Sequence, residues 1–202
     1  MTAQDDNTPK ETRAGRFMGS ALAILGETGR TDFTVLEVVE RSRTSLRAFY
    51  QHFATKDELL LALVEKIMDD GTQRWRAETD ALTGDEALRV LITRISAPAE
   101  SSTQDNINRG LTYYNDHLLE TRPKEFAKVL APLHRLVADI VRRGIAETTF
   151  RADLDVDTDA AILMQTALGA MRLRDLGVEL TGAPIEGSHI YTHCLRGLSS
   201  AP

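Results

Sequence analysis

The stretch Thr34–Leu60 constrains the fold most, because it has the pattern of two short helices, a tight turn between them and the start of a third helix. Thr34 with Glu37 three residues later has the pattern of a capping box, which begins a helix. After a polar turn, either Thr44 or Ser45 can cap the second short helix. The pattern predicts a helix-turn-helix, a unit that presents the start of its second helix to the DNA major groove.

The charge of this stretch supports the same interpretation. Between Arg41 and Lys56 there are four cationic side chains and no acidic one, although the whole chain has a formal net charge of -6. Phe49 and Phe53 lie four residues apart, so both can face inward from the second helix while Arg47 points to solvent or to a groove. A local cationic surface on an acidic chain favours DNA phosphate as its partner.

The run YQHFATK at residues 50–56 carries a family resemblance. It is similar to the Tyr-x-His-Phe-x-x-Lys pattern that follows a Ser-rich turn in TetR-family transcriptional repressors. Upstream, Arg13 to Gly29 resembles the first helix of that family, with Gly29 as the glycine that ends it. The resemblance covers roughly residues 10 to 65. It implies an all-α fold, with an N-terminal three-helix DNA-binding domain and a C-terminal helical domain for ligand binding and dimerisation.

Two residues depart from the family pattern. Arg43 stands in the turn where the family usually has Gly, so the turn holds a non-Gly residue or adopts another geometry. Arg47 stands early in the recognition helix where many members have Gly. Because Arg pairs well with guanine O6 and N7, Arg47 is predicted to read a base. The alternative is a phosphate-contacting or solvated Arg47, since half or more of protein–DNA hydrogen bonds go to the backbone.

The resemblance also assigns roles to individual positions. Phosphate contacts are implied for Thr34, Tyr50, His52 and Lys56. The positions that could reach bases are Thr44, Ser45, Arg47, Ala48 and Gln51. For His52 a second interpretation stays open, in which its ring only anchors the motif internally.

The chain is predicted to comprise a flexible N-terminal arm at 1–12, the helix-turn-helix domain at 13–55 and the helical effector and dimerisation domain at 56–202. Apolar periodicity predicts that the last part is all helix. Its six helices are expected at about 56–81, 85–95, 102–121, 124–148, 157–176 and 185–198. Pro132 lies inside the fourth of them, where it should kink or loosen the helix.

Composition limits the class of protein further. The sequence has no apolar run near 18 residues, so no membrane span is expected. The acidic, polar start has neither the pattern of a signal peptide nor that of a transit peptide. The single Cys194 excludes an intramolecular disulfide framework and fits a reducing compartment. A cytoplasmic location is therefore predicted.

Two possible metal motifs are weak. The acidic run at 153–159 lacks the Gly and Glu of a calcium loop, since Thr158 and Met164 occupy those positions. His189 and His193 have metal-ligand spacing beside Cys194, but no further ligand is near in sequence, and packing between helices is the alternative. The nucleotide-binding and nucleophile motifs are absent as well. No metal, no cofactor and no catalytic residue are predicted.

The resemblance implies a homodimer whose interface is a four-helix bundle formed by 157–176 and 185–198 of each subunit. Small side chains that would permit close helix approach are Ala160, Ala161, Ala167, Gly169 and Ala170. Larger side chains that would bury area are Leu163, Met164, Leu168 and Met171. The same apolar stripe could instead belong to the core of a single subunit.

Effector contacts are expected inside the helical domain. Candidates by residue type and location are Trp75, Tyr113, Tyr114, His117, His134, Met164 and Gln165. For each of them a core or surface position is an equal alternative. Tyr113 and Tyr114 are about 100° apart around a helix, so at most one is well placed.

The resulting hypothesis is a homodimeric repressor that binds a palindromic operator in double-stranded DNA. A small hydrophobic or amphipathic effector would release it. Two alternatives stay open: an architectural DNA-binding protein that responds to no effector, and a helical enzyme.

Overall fold

The computed structural model describes residues 12–180 and 182–199, and within these ranges it contains nine α-helices and no strand. The helices are α1 Arg13–Thr28, α2 Val35–Arg41, α3 Leu46–Tyr50, α4 Lys56–Thr79, α5 Gly84–Ile95, α6 Ser102–Thr121, α7 Pro123–Ala146, α8 Val156–Asp175 and α9 Gly187–Leu198. The all-α prediction is confirmed. Except for Thr12, the predicted arm lies outside the described residues. None of the described helices is long and apolar enough to cross a bilayer.

Side-chain caps and one glycine set the ends of the N-terminal helices. The capping box of α2 is present, since the Glu37 N–H donates to Thr34 Oγ1 (3.2 Å) and Glu37 Oε2 accepts from the Thr34 N–H (2.6 Å). Ser45, the second of the two candidates, caps α3 by accepting from the Ala48 N–H at 3.2 Å. Gly29 ends α1 in the left-handed conformation, with φ at 66°. These predicted boundaries are confirmed because each depends only on local chemistry.

Aromatic packing joins the first three helices. Phe17 of α1 and Phe49 of α3 are fully buried and meet edge-to-face, with ring centroids 5.4 Å apart. Phe53 also packs against Phe17, at 6.4 Å between centroids. The same hydrophobic cluster continues past residue 55 into the first half of α4 and into α6 and α7. Its members beyond the helix-turn-helix include Leu59, Leu60, Leu63, Val64, Tyr114, Leu118 and Val129.

A second core fills the C-terminal helices α5, α7, α8 and α9. The predicted helices agree with these elements to within about two residues at each end, and α9 begins at Gly187 rather than near 185. Pro123 is the first residue of α7, a position that needs no backbone N–H. The helix runs without interruption through Pro132.

The start of α5 lies against the end of α7 through two glycines. A Cβ atom at Gly84 would overlap the backbone of Gly144, and a Cβ at Gly144 would overlap the ring of Phe150. The Gly84 N–H also donates to Glu147 Oε2 at 2.7 Å. Backbone atoms cannot move aside as a flexible side chain can, so this helix contact depends on the missing side chains.

We therefore expect Gly84→Ala to lower the free energy of unfolding by about 1–3 kcal/mol, as overpacking usually does. Gly197 lies inside α9 with open space around it, so Gly197→Ala is a suitable control. The control should raise stability by about 0.5–1 kcal/mol through the unfolded state. Urea unfolding of both variants at one protein concentration measures the effects. Equal stability of Gly84→Ala and the parent would contradict the close packing.

Candidate nucleic-acid interface and effector cavity

The turn between α2 and α3 holds a non-glycine residue in the left-handed region. Arg43 has φ of 52°. The turn is supported by the Thr44 N–H, which donates to Val39 O at 2.9 Å, and by the contact of the Ser42 and Thr44 hydroxyls at 2.7 Å. The turn thus keeps the geometry that suits glycine although it has arginine there. An L side chain in this conformation is strained, and strain of this kind occurs most often at functional sites.

The recognition helix α3 exposes the side that was predicted to face DNA. Arg47 and Gln51 are exposed, and Tyr50 is 57 % exposed while Phe49 beneath it is fully buried. Among the described residues the Arg47 guanidinium has no hydrogen-bond or ion-pair partner. Ser45 is exposed at the start of the helix, whereas Thr44 and Ala48 are half-buried. The base-facing candidates therefore lie together at one solvent-facing surface.

The predicted phosphate contacts differ in how free they are. The Thr34 hydroxyl accepts from the Glu37 N–H and donates to Glu37 Oε2 at 2.8 Å, so the cap uses it fully. Lys56 Nζ donates to the Thr31 carbonyl at 2.8 Å and lies 5.4 Å from the ring centroid of Phe33.

The other two phosphate candidates lie at the end of α3. Tyr50 has an exposed ring. His52 is exposed as well, and its ring centroid lies 6.1 Å from that of Phe17. Contact with DNA by Tyr50, His52 and Lys56 stays a prediction.

One of the four cations that the sequence placed on this surface is neutralised. Arg41 donates to both carboxylate oxygens of Glu27, with Nη1 2.8 Å from Oε2. This hydrogen bond lowers the pKa of Glu27 and raises the pKa of Arg41. The cationic character of the turn and recognition helix therefore rests on Arg43 and Arg47. The sequence could not show this, because Glu27 and Arg41 meet only when α1 packs against α2.

A polar cluster around Asp57 joins the first turn of α4 to α6 and α7. The Tyr114 hydroxyl lies 2.8 Å from both the carbonyl oxygen and Oδ1 of Asp57, and Arg122 Nη1 donates to Oδ2 at 2.9 Å. Burial and the bond to Asp57 raise the pKa of Tyr114. His117 Nε2 is 4.0 Å from Oδ1. The sequence indicated only that Asp57 suits a helix start, because its partners lie more than fifty residues away.

A cavity of about 350 Å³ lies between α4, α6, α7 and α8. Its apolar lining comprises Met68, Leu119, Phe126, Leu130, Leu168 and Met171. Its polar lining comprises Thr112, Asn115 and Gln165, together with the ion pair of Arg172 and Asp116 at 2.8 Å. Asn115 Oδ1 is buried and has no hydrogen-bond partner among the described residues. An apolar chamber with an unused acceptor can hold an amphipathic molecule that donates a hydrogen bond.

Only Gln165 of the predicted effector contacts lines this cavity. Met164 is buried in the C-terminal core, and Trp75 is half-buried against the same core. Tyr113 is 56 % exposed, Tyr114 and His117 adjoin Asp57, and His134 Nε2 lies 3.0 Å from the Asp157 carbonyl.

The structure separates the predicted interface stripe of α8 into two sides. Ala160, Leu163, Met164 and Ala167 are buried in the subunit's own core. The opposite side exposes Gly169 and Ile162, whose side chain is 58 % exposed. Ala161, Leu168, Ala170 and Met171 are half-buried between the two sides. Both interpretations of the stripe therefore have residues available to them.

The spacing of His189 and His193 on α9 assembles no metal site in the part of the chain that is described. No group of three or more His, Cys, Asp or Glu side chains there could hold a metal ion. His189 Nδ1 instead lies 3.3 Å from the Glu186 backbone nitrogen. Burial raises the pKa of the half-buried Cys194 thiol.

The helices and the site define an all-α DNA-binding protein of the helix-turn-helix type. The family model described as bacterial regulatory proteins, tetR family, matches residues 18–63. The transcriptional repressor KstR2 of Rhodococcus jostii (strain RHA1) is 22 % identical over 201 residues, covering 97 % of this chain and 96 % of that repressor. The chain is a transcriptional regulator of the tetR family.

Solved structures share the whole fold. The fatty acid degradation regulator FadR from Bacillus halodurans superposes with a TM-score of 0.72 at 16 % identity, covering 93 % of this chain and 97 % of that one. FadR from Bacillus subtilis, in complex with stearoyl-CoA, gives a TM-score of 0.70 at 15 % identity and covers 92 % and 97 %. At these identities the likeness extends to the fold alone.

The strained turn yields a test of its own. Arg43→Gly should raise the free energy of unfolding by about 1 kcal/mol, because glycine adopts positive φ without the Cβ penalty. Arg43→Ala, the matched control, removes the same guanidinium but keeps the strain and should give no such gain. Thermal and urea unfolding of the two variants distinguish backbone from side chain. A gain of the same size in both would show that the guanidinium, rather than the backbone, was destabilising.

Proposed function

We propose that this protein is a ligand-responsive transcriptional repressor that binds a palindromic operator as a homodimer. The observation that carries the proposal is the recognition helix α3, which presents an unpaired Arg47 beside Tyr50 and Gln51 at an exposed surface. On a chain with net charge -6, an unpaired cation beside hydrogen-bonding side chains is suited to a DNA groove. In this proposal residues 13–55 bind DNA, and residues 56–202 bind the effector and the second subunit.

Base reading is assigned to the start and middle of α3. Arg47 can form a bidentate pair with guanine, and Gln51 one turn later can pair with adenine. Ser45, Thr44 and Ala48 lie close enough in sequence to contact neighbouring base edges. Tyr50, His52 and Lys56 hold the flanking phosphates, and Thr34 joins them only if its hydroxyl turns from Glu37.

Dimerisation is assigned to the exposed sides of α8 and α9. Ile162 and Gly169 of α8 are exposed, and Gly197 of α9 has open space beside it. Small residues on such a side allow helices of two subunits to approach closely. A dimer would place two α3 helices about one DNA turn, ~34 Å, apart, which requires two related half-sites.

The effector is assigned to the cavity between α4, α6, α7 and α8. Its walls are mainly apolar, and Arg172 is already neutralised by Asp116, so a bulky apolar molecule with a polar group suits it. Asn115 Oδ1 offers that polar group an acceptor. The FadR structure from Bacillus subtilis holds stearoyl-CoA, which makes acyl-CoA thioesters reasonable first compounds to test.

Helix α6 supplies a route from the cavity to the DNA-binding helices. Thr112, Asn115 and Asp116 line the cavity, and Tyr114 on the same helix bonds to Asp57 at the start of α4. An effector that displaces α6 would therefore change how α4 is held, and α4 follows the recognition helix directly. A coupling free energy of about 1–3 kcal/mol would change operator affinity roughly 5- to 150-fold.

Selection of binding sites from a random duplex library tests the proposal as a whole. We expect one palindromic sequence to be enriched, and stearoyl-CoA or another amphipathic metabolite to release the protein from it. Equal binding to every duplex would instead indicate an architectural DNA-binding protein. Failure to bind any duplex at low salt would refute the proposal.

Two arginine and lysine variants separate base reading from phosphate contact. Arg47→Ala should cost about 1–3 kcal/mol at one base pair of the selected operator and should relax sequence preference there. Lys56→Ala should weaken binding to all duplexes alike and make the salt dependence shallower by about one unit. Titrations of matched and single-substituted duplexes at several salt concentrations measure both.

Stability must be compared in parallel, because Lys56 also donates to the Thr31 carbonyl. An Arg47→Ala variant that loses affinity equally on every duplex would show that Arg47 contacts phosphate.

Removal of one hydroxyl tests the route through Asp57. Tyr114→Phe keeps the ring but loses both hydrogen bonds to Asp57, so the effector should change operator affinity less than it does in the parent. The lost bonds should lower stability by about 0.5–1.5 kcal/mol. Tyr113→Phe on the exposed neighbouring position is the matched control. Operator affinity is measured with and without the effector that the screen identifies, and an unchanged ratio in Tyr114→Phe would exclude this route.

A further inference from the structure

Helix α1 begins with cations where the helix dipole disfavours them. Arg13 is its first residue and Arg16 its fourth, and the first turn has no acidic side chain. By contrast α4, α5 and α8 each have two acidic side chains in their first turns. A helix N-terminus is equivalent to a partial positive charge, so Arg13 and Arg16 repel it. This arrangement is unfavourable unless an external anion compensates it.

No anionic side chain of the described structure provides that compensation. Both arginines are exposed, and neither guanidinium has a hydrogen bond or an ion pair with the residues described. Arg41, which also packs near α1, is paired with Glu27. The opening turn of α1 therefore presents two free guanidinium groups to solvent.

The position of this turn is set by the aromatic core. Phe17 contacts His52, with ring centroids 6.1 Å apart, and packs edge-to-face on Phe49 of the recognition helix. Arg13 lies four residues before Phe17 and so on the same side of α1. Helical side chains lean toward the N-terminus, so Arg13 extends beyond the start of α1 beside the segment with Tyr50 and His52.

We propose that Arg13 and Arg16 bind a backbone phosphate of DNA beside the recognition helix. The inference rests on the proposed DNA-binding function and adds a second element of contact to it. The backbone N–H groups that open α1 would face the same phosphate, because the Thr12 hydroxyl accepts only from Gly15. A phosphate there would neutralise both arginines and the helix dipole together, and guanidinium groups match its geometry.

The double variant Arg13→Gln/Arg16→Gln of the full chain tests this, with the duplex that selection on the parent protein provides. Fluorescence anisotropy at several salt concentrations should show a salt slope shallower by one to two units, from about 0.9 per lost phosphate contact. Affinity at low salt should fall roughly tenfold, equally on the selected duplex and on a scrambled one. The melting temperature should stay equal or rise, since the repulsion with the helix dipole is gone.

The control Arg89→Gln/Lys128→Gln removes the same charge from exposed positions on α5 and α7. If both double variants lose affinity equally, net charge alone is responsible and the inference is overturned, while DNA binding by the parent still stands. A loss confined to the selected sequence would overturn the phosphate assignment. A lower melting temperature with unchanged DNA affinity would show a structural role for the two arginines. If the parent binds no duplex at all, the proposed function fails first.

Discussion

The contact of Phe17 with Phe49 and Phe53 is the constraint on which the rest of the structure depends. Helix α3 has only five residues, and a helix of that length is unstable by itself. The aromatic rings anchor α3 to α1, and the Ser45 cap starts it at one defined residue. Because Phe49 is fully buried, Tyr50 next to it must be exposed. A solvent-facing recognition surface is therefore a consequence of core packing.

The same core reaches into the helical domain, so the two functions are mechanically connected. Tyr114 of α6 is buried against the N-terminal cluster and bonds to Asp57 one residue into α4. Residues adjacent to Tyr114 along α6 line the cavity. A separate DNA-binding module on a flexible linker would lack this connection. Here a polar cluster at the base of α4 lies between the cavity and the helix-turn-helix, in a position to transmit a change in either direction.

Local chemistry made much of the fold predictable from the sequence. The capping box of Thr34 and Glu37, the stop at Gly29 and the inward pair Phe49 and Phe53 each involve residues within four positions of one another. The cavity was less predictable, because Thr112, Asn115 and Asp116 look like ordinary polar residues of an exposed helix. Gln165 was recognised by residue type and place, whereas Met164 beside it faces the core. Neighbours on a helix differ by about 100°, so residue type alone cannot orient them.

The sequence by itself determined the number and order of the helices, the helix-turn-helix and the cationic, Ser-capped start of its second helix. Those features follow from periodicity and capping, which act over a few residues. Only the tertiary structure decided that Glu27 neutralises Arg41, that Lys56 bonds to Thr31 and that Asp57 holds Tyr114 and Arg122. Such pairs form because helices distant in sequence bury apolar faces against each other, and this burial selects the neighbours of each charged group.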